Sequence, residues 1–298
     1  MASESPTTEP STRIVDHLVH LSPPGSVEQA SQQFRDLGFT VIPGGTHAGG
    51  LTANALVLLA DGAYLELISF IHPIEFYPPN SDERRERESH NWAKRAPGWI
   101  DWAFLGNTTY STPISRISND RASIDGSGVH YKRESNGGRT RPDGEVLRWV
   151  ISQPRTTESG VLPFFCGDIT PRPLRVPATD TNTSHKSTVR GVAHIHLVVR
   201  PASFESLTLQ FTTVVGAPPK HVDASKAVWS VDTLAQPEIP TEVILTIPQN
   251  PQEHTFVESL DSGTASGVYE IAFGVLSGSE RRLTTPYGRI AFVPLRSG

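Results

Sequence analysis

The runs Ile14-Val15-Asp16-His17-Leu18-Val19-His20 and Tyr64-Leu65-Glu66-Leu67-Ile68-Ser69 decide how this 298-residue chain is read. Each is short and rich in β-branched and aliphatic residues, as strands are. Between them, the three-to-four spacing of Val27, Ala30, Phe34 and Leu37 predicts a helix, ended by Gly38 just past its last turn. Strands are expected at 39–42 and 55–59. The resulting order, β-α-β-β-β, is short enough to close as one curved half-sheet, with His17 on its first strand and Glu66 on its last. The run Gly44-Gly45-Thr46-His47-Ala48-Gly49-Gly50 reads as a flexible loop. It lacks the lysine and the strand-to-helix setting of a phosphate-binding loop. His47 in it is either a plain loop residue or a contact for a bound substrate.

A second, less regular unit follows an exposed helix expected over 80–95. Its strands are read at 99–105, 129–132, 147–152 and 161–165, with a weak helix over 114–123. Arg141-Pro142-Asp143-Gly144 is a tight turn by composition. Arg139, Arg141 and Arg148 flank it near Trp149, so they form either a solvent-facing hairpin or a bidentate grip on a substrate carboxylate. Residues 177–190 have linker composition. A third unit then spans 191–298, with strands at 192–199, 227–231, 242–247, 267–273 and 289–293 and a helix over 202–215.

The third unit returns the chemistry of the first. Val192-Ala193-His194-Ile195 falls on Val15-Asp16-His17-Leu18, and Val268-Tyr269-Glu270-Ile271 on Tyr64-Leu65-Glu66-Leu67. A histidine on an apolar strand is by itself an ordinary core residue. A carboxylate inside an apolar run is costly to bury unpaired. Two imidazoles and two carboxylates together suit a divalent ion such as Zn, Fe, Mn, Co or Ni. His17, Glu66, His194 and Glu270 are therefore the candidate ligands, with Glu66 or Glu270 as the proton-transfer group.

The run DHLVH, the GG-x-H-x-GG segment, DGAYLELI, RTRPDGEVLRW and LPFF together resemble the glyoxalase-like proteins of the vicinal oxygen chelate superfamily, over about residues 14–176. The resemblance implies an α+β fold of repeated βαβββ modules forming curved, mostly antiparallel half-barrel sheets. It also implies metal ligands on first and last strands, where His17 and Glu66 stand. Members include glyoxalase, extradiol dioxygenases, epimerases, fosfomycin-type resistance transferases and metal-free drug-binding proteins. In the second unit the matching positions fall at about Trp102 and Phe164, which cannot ligate a metal. A complete site then requires that unit three, and not unit two, close against unit one.

Composition narrows the partners. A net charge of −5 gives no basic face for nucleic acid. No window holds eighteen consecutive apolar residues, and the polar segment 1–13 has no signal-like apolar core, so a cytoplasmic protein with a disordered tail is expected. Cys166, the single cysteine, allows neither an intrachain disulfide nor a thiolate cluster. The expected organisation is a tail (1–13), a two-module glyoxalase-like domain (14–176), a linker (177–190) and a third module (191–298). The expected function is a divalent-metal-dependent isomerase or lyase acting on a small oxygenated molecule. His47, Trp102, Arg141, Arg148, Trp149 and Phe164 would contact substrate, and a homodimer follows from the resemblance. The alternative is a metal-free pocket that binds or shapes a small molecule.

Overall fold

The structure, a computed structural model, describes residues 10–107, 112–155, 162–235, 240–261, 263–286 and 288–295. Alternation along the opening strand sets the architecture. In β1 (Val15–Ser22), His17, Val19 and Leu21 face one side, while Leu18 and His20 face the other. Helix α1 (Val27–Asp36) buries Ala30, Ser31 and Phe34, and Gly38 follows it at φ +88°. Strands β2 (Ile42–His47), β3 (Thr52–Leu58) and β4 (Tyr64–Phe70) complete the first unit. Strand β4 runs parallel to β1, with Val19 opposite Glu66.

After helix α2 (Asp82–Ser89) the second unit comprises β5 (Gly98–Leu105), α3 (Ile114–Asp125), β6 (Ser135–Thr140), β7 (Val146–Ser152) and β8 (Phe164–Asp168). Strand β5 pairs antiparallel to β1, and β6 pairs with β2. The result is a closed barrel in the order β1-β4-β3-β2-β6-β7-β8-β5. Unit one therefore closes against unit two.

Three expectations shift here. Gly44 to His47 form strand β2 and not a loop. Gly44 explains why: a Cβ there would stand 1.9 Å from Asn54 Oδ1 and 2.6 Å from the Asn54 backbone oxygen, so the strand fits only without a side chain. The strand expected at 129–132 reduces to one bridge, Tyr131 to Pro154, and the glycine-bearing β6 takes its place. The strand expected at 161–165 begins at Phe164; residue 161 lies outside the described residues, as do residues 1–9 of the expected tail.

Short helices α4 (Arg172–Arg175) and α5 (Asp180–Thr183) lead into the second half. The segment expected as a linker is packed down: His185 Nδ1 accepts from the Thr40 N–H (3.0 Å), and its Nε2 lies 3.0 Å from the Leu58 carbonyl. Then come β9 (Val189–Val199), α6 (Phe204–Val215), β10 (His221–Val222), β11 (Lys226–Val231), β12 (Thr241–Thr246), α7 (Pro251–Ser259), β13 (Ser266–Val275), β14 (Arg281–Thr285) and β15 (Gly288–Pro294). They form a seven-stranded sheet, β10-β11-β12-β9-β13-β15-β14. Its plan repeats the barrel. Strand β12 is parallel to β9 as β4 is to β1, β13 antiparallel to β9 as β5 is to β1, and β15 parallel to β13 as β8 is to β5. Among the described residues nothing matches β6, and the sheet stays open.

This topology corrects the hand alignment of the repeats. Glu270 lies on β13, the counterpart of β5, and so is not the equivalent of Glu66. With His194 matched to His17, the residue in Glu66's place is Ile244, which pairs with His196 as Glu66 pairs with Val19.

The two halves share one core. Leu18, Phe34, Trp102 and Phe104 meet Ile195, Leu197, Phe211, Trp229 and Phe273. Trp102 is fully buried there, stacked 6.2 Å from Phe211. Asp61 fastens the seam by accepting from Val192 N (2.8 Å) and Ala63 N (3.0 Å); burial pushes its pKa up to about 6 against these bonds. No helix among the described residues is long and apolar enough to cross a membrane.

Candidate active site

The inward faces of β1, β2, β3, β4, β6, β7 and β8 enclose a cavity of about 410 Å³. Its polar end is built by strand alternation alone. His17 from β1, His47 from β2, Asn54 from β3 and Glu66 from β4 all point inward and converge. His17 Nε2 lies 3.8 Å from Glu66 Oε2, and His47 Nε2 lies 3.3 Å from Glu66 Oε1. The Asn54 amide donates to Glu66 Oε1 at 2.6 Å. Burial pulls the Glu66 pKa upward, but the hydrogen bond and charge of His47, the charge of His17 and the Asn54 bond outweigh it and hold the carboxyl at about 2.

The neighbours of His17 fix its tautomer. Its Nδ1 is 2.7 Å from Asp16 Oδ2. Asp16 is fully buried, and Arg172 (2.5 Å) and Arg175 (3.2 Å) grip it; Arg175 also reaches Asp168 at 2.5 Å. Burial alone would raise the Asp16 pKa, yet the two guanidiniums hold its carboxyl well below the usual range. An ionised carboxylate only accepts, so His17 Nδ1 carries the proton and donates. With Nδ1 committed to Asp16, His17 turns Nε2 toward the carboxylate of Glu66. A cation shared between this nitrogen and the carboxylate, a proton or a metal ion, satisfies both groups. His47 is held in the same way, with Nδ1 2.8 Å from Thr52 Oγ1 and Nε2 directed at Glu66. Two imidazoles anchored through Nδ1, with Nε2 atoms turned toward one carboxylate, are the donor types a divalent ion takes, although the three ligand atoms do not all lie within 4.8 Å of one another.

A second trio, Asp16, His17 and Cys166, places ligand atoms within 4.8 Å of one another. Its electrostatics oppose a cation. Asp16 is neutralised by two arginines, Arg175 Nη1 stands 3.5 Å from Cys166 Sγ, and burial pushes the thiol pKa up.

Aromatic and apolar side chains share the rest of the wall with Arg139, Asn136 and Gln153. Tyr64 stacks on His17 (4.7 Å, 17°) and Phe164 meets it edge-on (5.2 Å). Trp149 and Leu56 continue the wall. Glu86, His90 and Trp92, from α2 and the segment after it, reach the cavity from outside the barrel strands, and Trp92 Nε1 donates to the buried Asp101 (3.1 Å).

Of the residues expected from the sequence, the structure brings His17, His47, Glu66, Trp149 and Phe164 together in this cavity. Trp102 is not there, because it faces the shared core. Arg141 turns away to pair with Asp143 (2.6 Å) and to donate to the Leu174 carbonyl. Arg148 is solvent-exposed. His194 and Glu270 do not join His17 and Glu66. They face away from the shared core on the open sheet, 3.4 Å from each other, with Arg282 at 3.4 Å from Glu270 and His196 2.8 Å from Thr246 Oγ1. The four-residue site built from units one and three is thus not assembled. Sequence reasoning named Arg139 within the arginine group and missed Asn54, Arg175 and the orienting role of Asp16. Only Asp16 carried a signal, a carboxylate directly beside the histidine on an apolar strand.

The glyoxalase-like domain family matches residues 15–215, which include the whole barrel. The chain belongs to that family, and with it to the vicinal oxygen chelate superfamily. Among solved structures it resembles a hypothetical protein from Staphylococcus aureus, at 11% identity and TM-score 0.65, covering 94% of this chain and 99% of that one. It also resembles a variant of 4-hydroxymandelate synthase from Streptomyces coelicolor, at 13% identity and TM-score 0.51, covering 90% of this chain and 72% of that one. At these identities the likeness is one of fold. No curated protein matches the chain in sequence.

Proposed function

We propose that the barrel interior is the active site of a metal-dependent enzyme that moves a proton on a small oxygenated organic molecule, in an isomerase- or lyase-type reaction. The observation that carries the proposal is the convergence of His17 and His47 on Glu66, with both Nδ1 atoms anchored and both Nε2 atoms turned toward the carboxylate. His17, His47 and Glu66 would hold the ion, and the third ligand then comes from β2 of the first unit. The matching strands of the second unit offer Ala103 and Cys166, since Ala103 pairs with Phe164 as His17 pairs with Tyr64. Bound there, a divalent ion polarises a substrate oxygen and acidifies the neighbouring C–H.

The chain's own groups do the rest. Asn54 donates to Glu66 Oε1 and fixes the orientation of the carboxylate that would carry the proton. Asp16, clamped by Arg172 and Arg175, keeps the His17 ring in one tautomer and orientation. Trp149 and Phe164 exclude water from the apolar end. The test is elemental analysis of protein purified without a histidine tag or chelator. About one equivalent of transition metal is expected, lost in His47→Ala and retained in His194→Ala. No metal after reconstitution, or loss only in His194→Ala, would overturn the assignment.

A further inference from the structure

The cavity wall contains a buried guanidinium with no ion-pair partner among the described residues. Arg139, on β6, is 4% exposed and lines the cavity. Its two hydrogen bonds go to neutral acceptors, Asn54 Oδ1 (3.1 Å) and the Arg175 backbone oxygen (3.1 Å). A guanidinium offers five N–H donors, so these leave most of its fork uncommitted. No carboxylate among the described residues forms an ion pair with it. By contrast, Arg172 and Arg175 are both matched to Asp16 and Asp168. Arginine is almost never buried unpaired, and its planar fork fits a carboxylate bidentately. Register also places it well. Arg139 is the ladder partner of His47, so the guanidinium enters the cavity beside the proposed ion.

We infer that Arg139 is the anchor for a substrate carboxylate, and that the ligand is a small monocarboxylate whose apolar or aromatic body lies against Trp149 and Phe164. The inference deepens the proposed function, because it takes the barrel interior as the active site. The cavity volume lies within the range of small-molecule sites. The ligand's carboxylate supplies the ion-pair partner that Arg139 lacks, and the Arg139–Asn54–Glu66 chain of contacts sets its distance from the reacting end.

The experiment is calorimetric titration of the full chain with two matched pairs, phenylacetate against phenylacetamide and propanoate against propanamide, with bound metal measured on the same samples. Within each pair shape is kept and charge changes. At least tenfold tighter binding of the acid is expected in the wild type. Arg139→Gln should abolish that preference with metal content unchanged, and Arg139→Lys should keep part of it. Equal affinity for acid and amide, no acid binding at millimolar concentration, or an undiminished preference in Arg139→Gln would overturn the inference. Should Arg139→Gln fail to fold, the wild-type pairs and Arg139→Lys decide. Acid preference in metal-free protein would remove the metal and leave the anchor standing; metal without acid preference would do the reverse.

Discussion

In the first half of the molecule β6 joins β2 to β7 and the sheet closes around a chamber. In the second half β10 and β14 end the sheet, and no described strand bridges them. Both halves place histidines and a glutamate on the face turned away from the shared core, yet their surroundings differ. Glu66 is 7% exposed and meets two imidazoles and an amide, with Arg139 delivered to the same chamber by the closing strand. Glu270 meets His194 and the half-exposed Arg282, which supplies a cation from the protein itself. The same strand plan gives a closed chamber in one half and an open sheet in the other, where the equally buried Glu270 is paired with a cation of the protein itself. A single strand makes the difference.

Substitutions can break or sharpen this contrast. The largest expected effect is on metal occupancy. Glu66→Ala or His17→Ala should lower affinity beyond the roughly 10–100-fold typical of outer-shell partners, while Glu270→Ala leaves occupancy unchanged; competition with a chromophoric chelator measures both. Next is acid stability of chelator-treated protein. The folded pKa of Glu66 is about 2 against an ordinary 4.5. Its stabilisation is therefore complete above pH 4.5 and lost as pH falls toward 2, amounting to about 3 kcal/mol by linkage. Denaturant titrations of Glu66→Gln should show a flatter acid limb over that window. Asp16→Asn comes third. It loosens the His17 tautomer and should weaken metal binding about 10–100-fold, with the ion still present at saturating concentration. Smallest is Gly44→Ala, which forces a methyl into Asn54 and should cost about 1–3 kcal/mol in thermal or denaturant unfolding.

Much of the fold was legible because strand patterns are local. The runs ending in His20, Ser69, Val199 and Phe273 declared themselves through β-branched and aliphatic residues, and His17 and Glu66 followed from them. What failed was non-local. Glycine is depleted in strands, so IPGGTH and SNGGRT did not read as strands. They are nevertheless the paired β2 and β6 that join the two modules, because crowding by Asn54 at Gly44 and by the Trp149 ring at Gly137 leaves no room for a side chain. Which units pair is decided by packing between distant segments, so the likeness of His194 and Glu270 to His17 and Glu66 suggested a shared site that topology forbids. The sequence grouped Arg139 with Arg141 and Arg148 as a carboxylate grip; that Arg139 alone of the three enters the chamber depends on β6 being a strand.

Strand β1 is a partition with different duties on its two sides. Asp16 and His17 serve the chamber, whereas Leu18 and His20 lie in the joint with the second half, His20 against Phe34 and Trp99. Val19, fully buried, packs with Ile68 and Phe70 and does not line the chamber. A mutational scan of this strand should therefore change in kind between neighbours. Substitution of His17 should leave folded protein in cells that has lost its metal. Those at 18, 19 and 20 should lower abundance while the surviving molecules keep theirs. Adjacent residues would give opposite phenotypes, written by the pleat of a single strand.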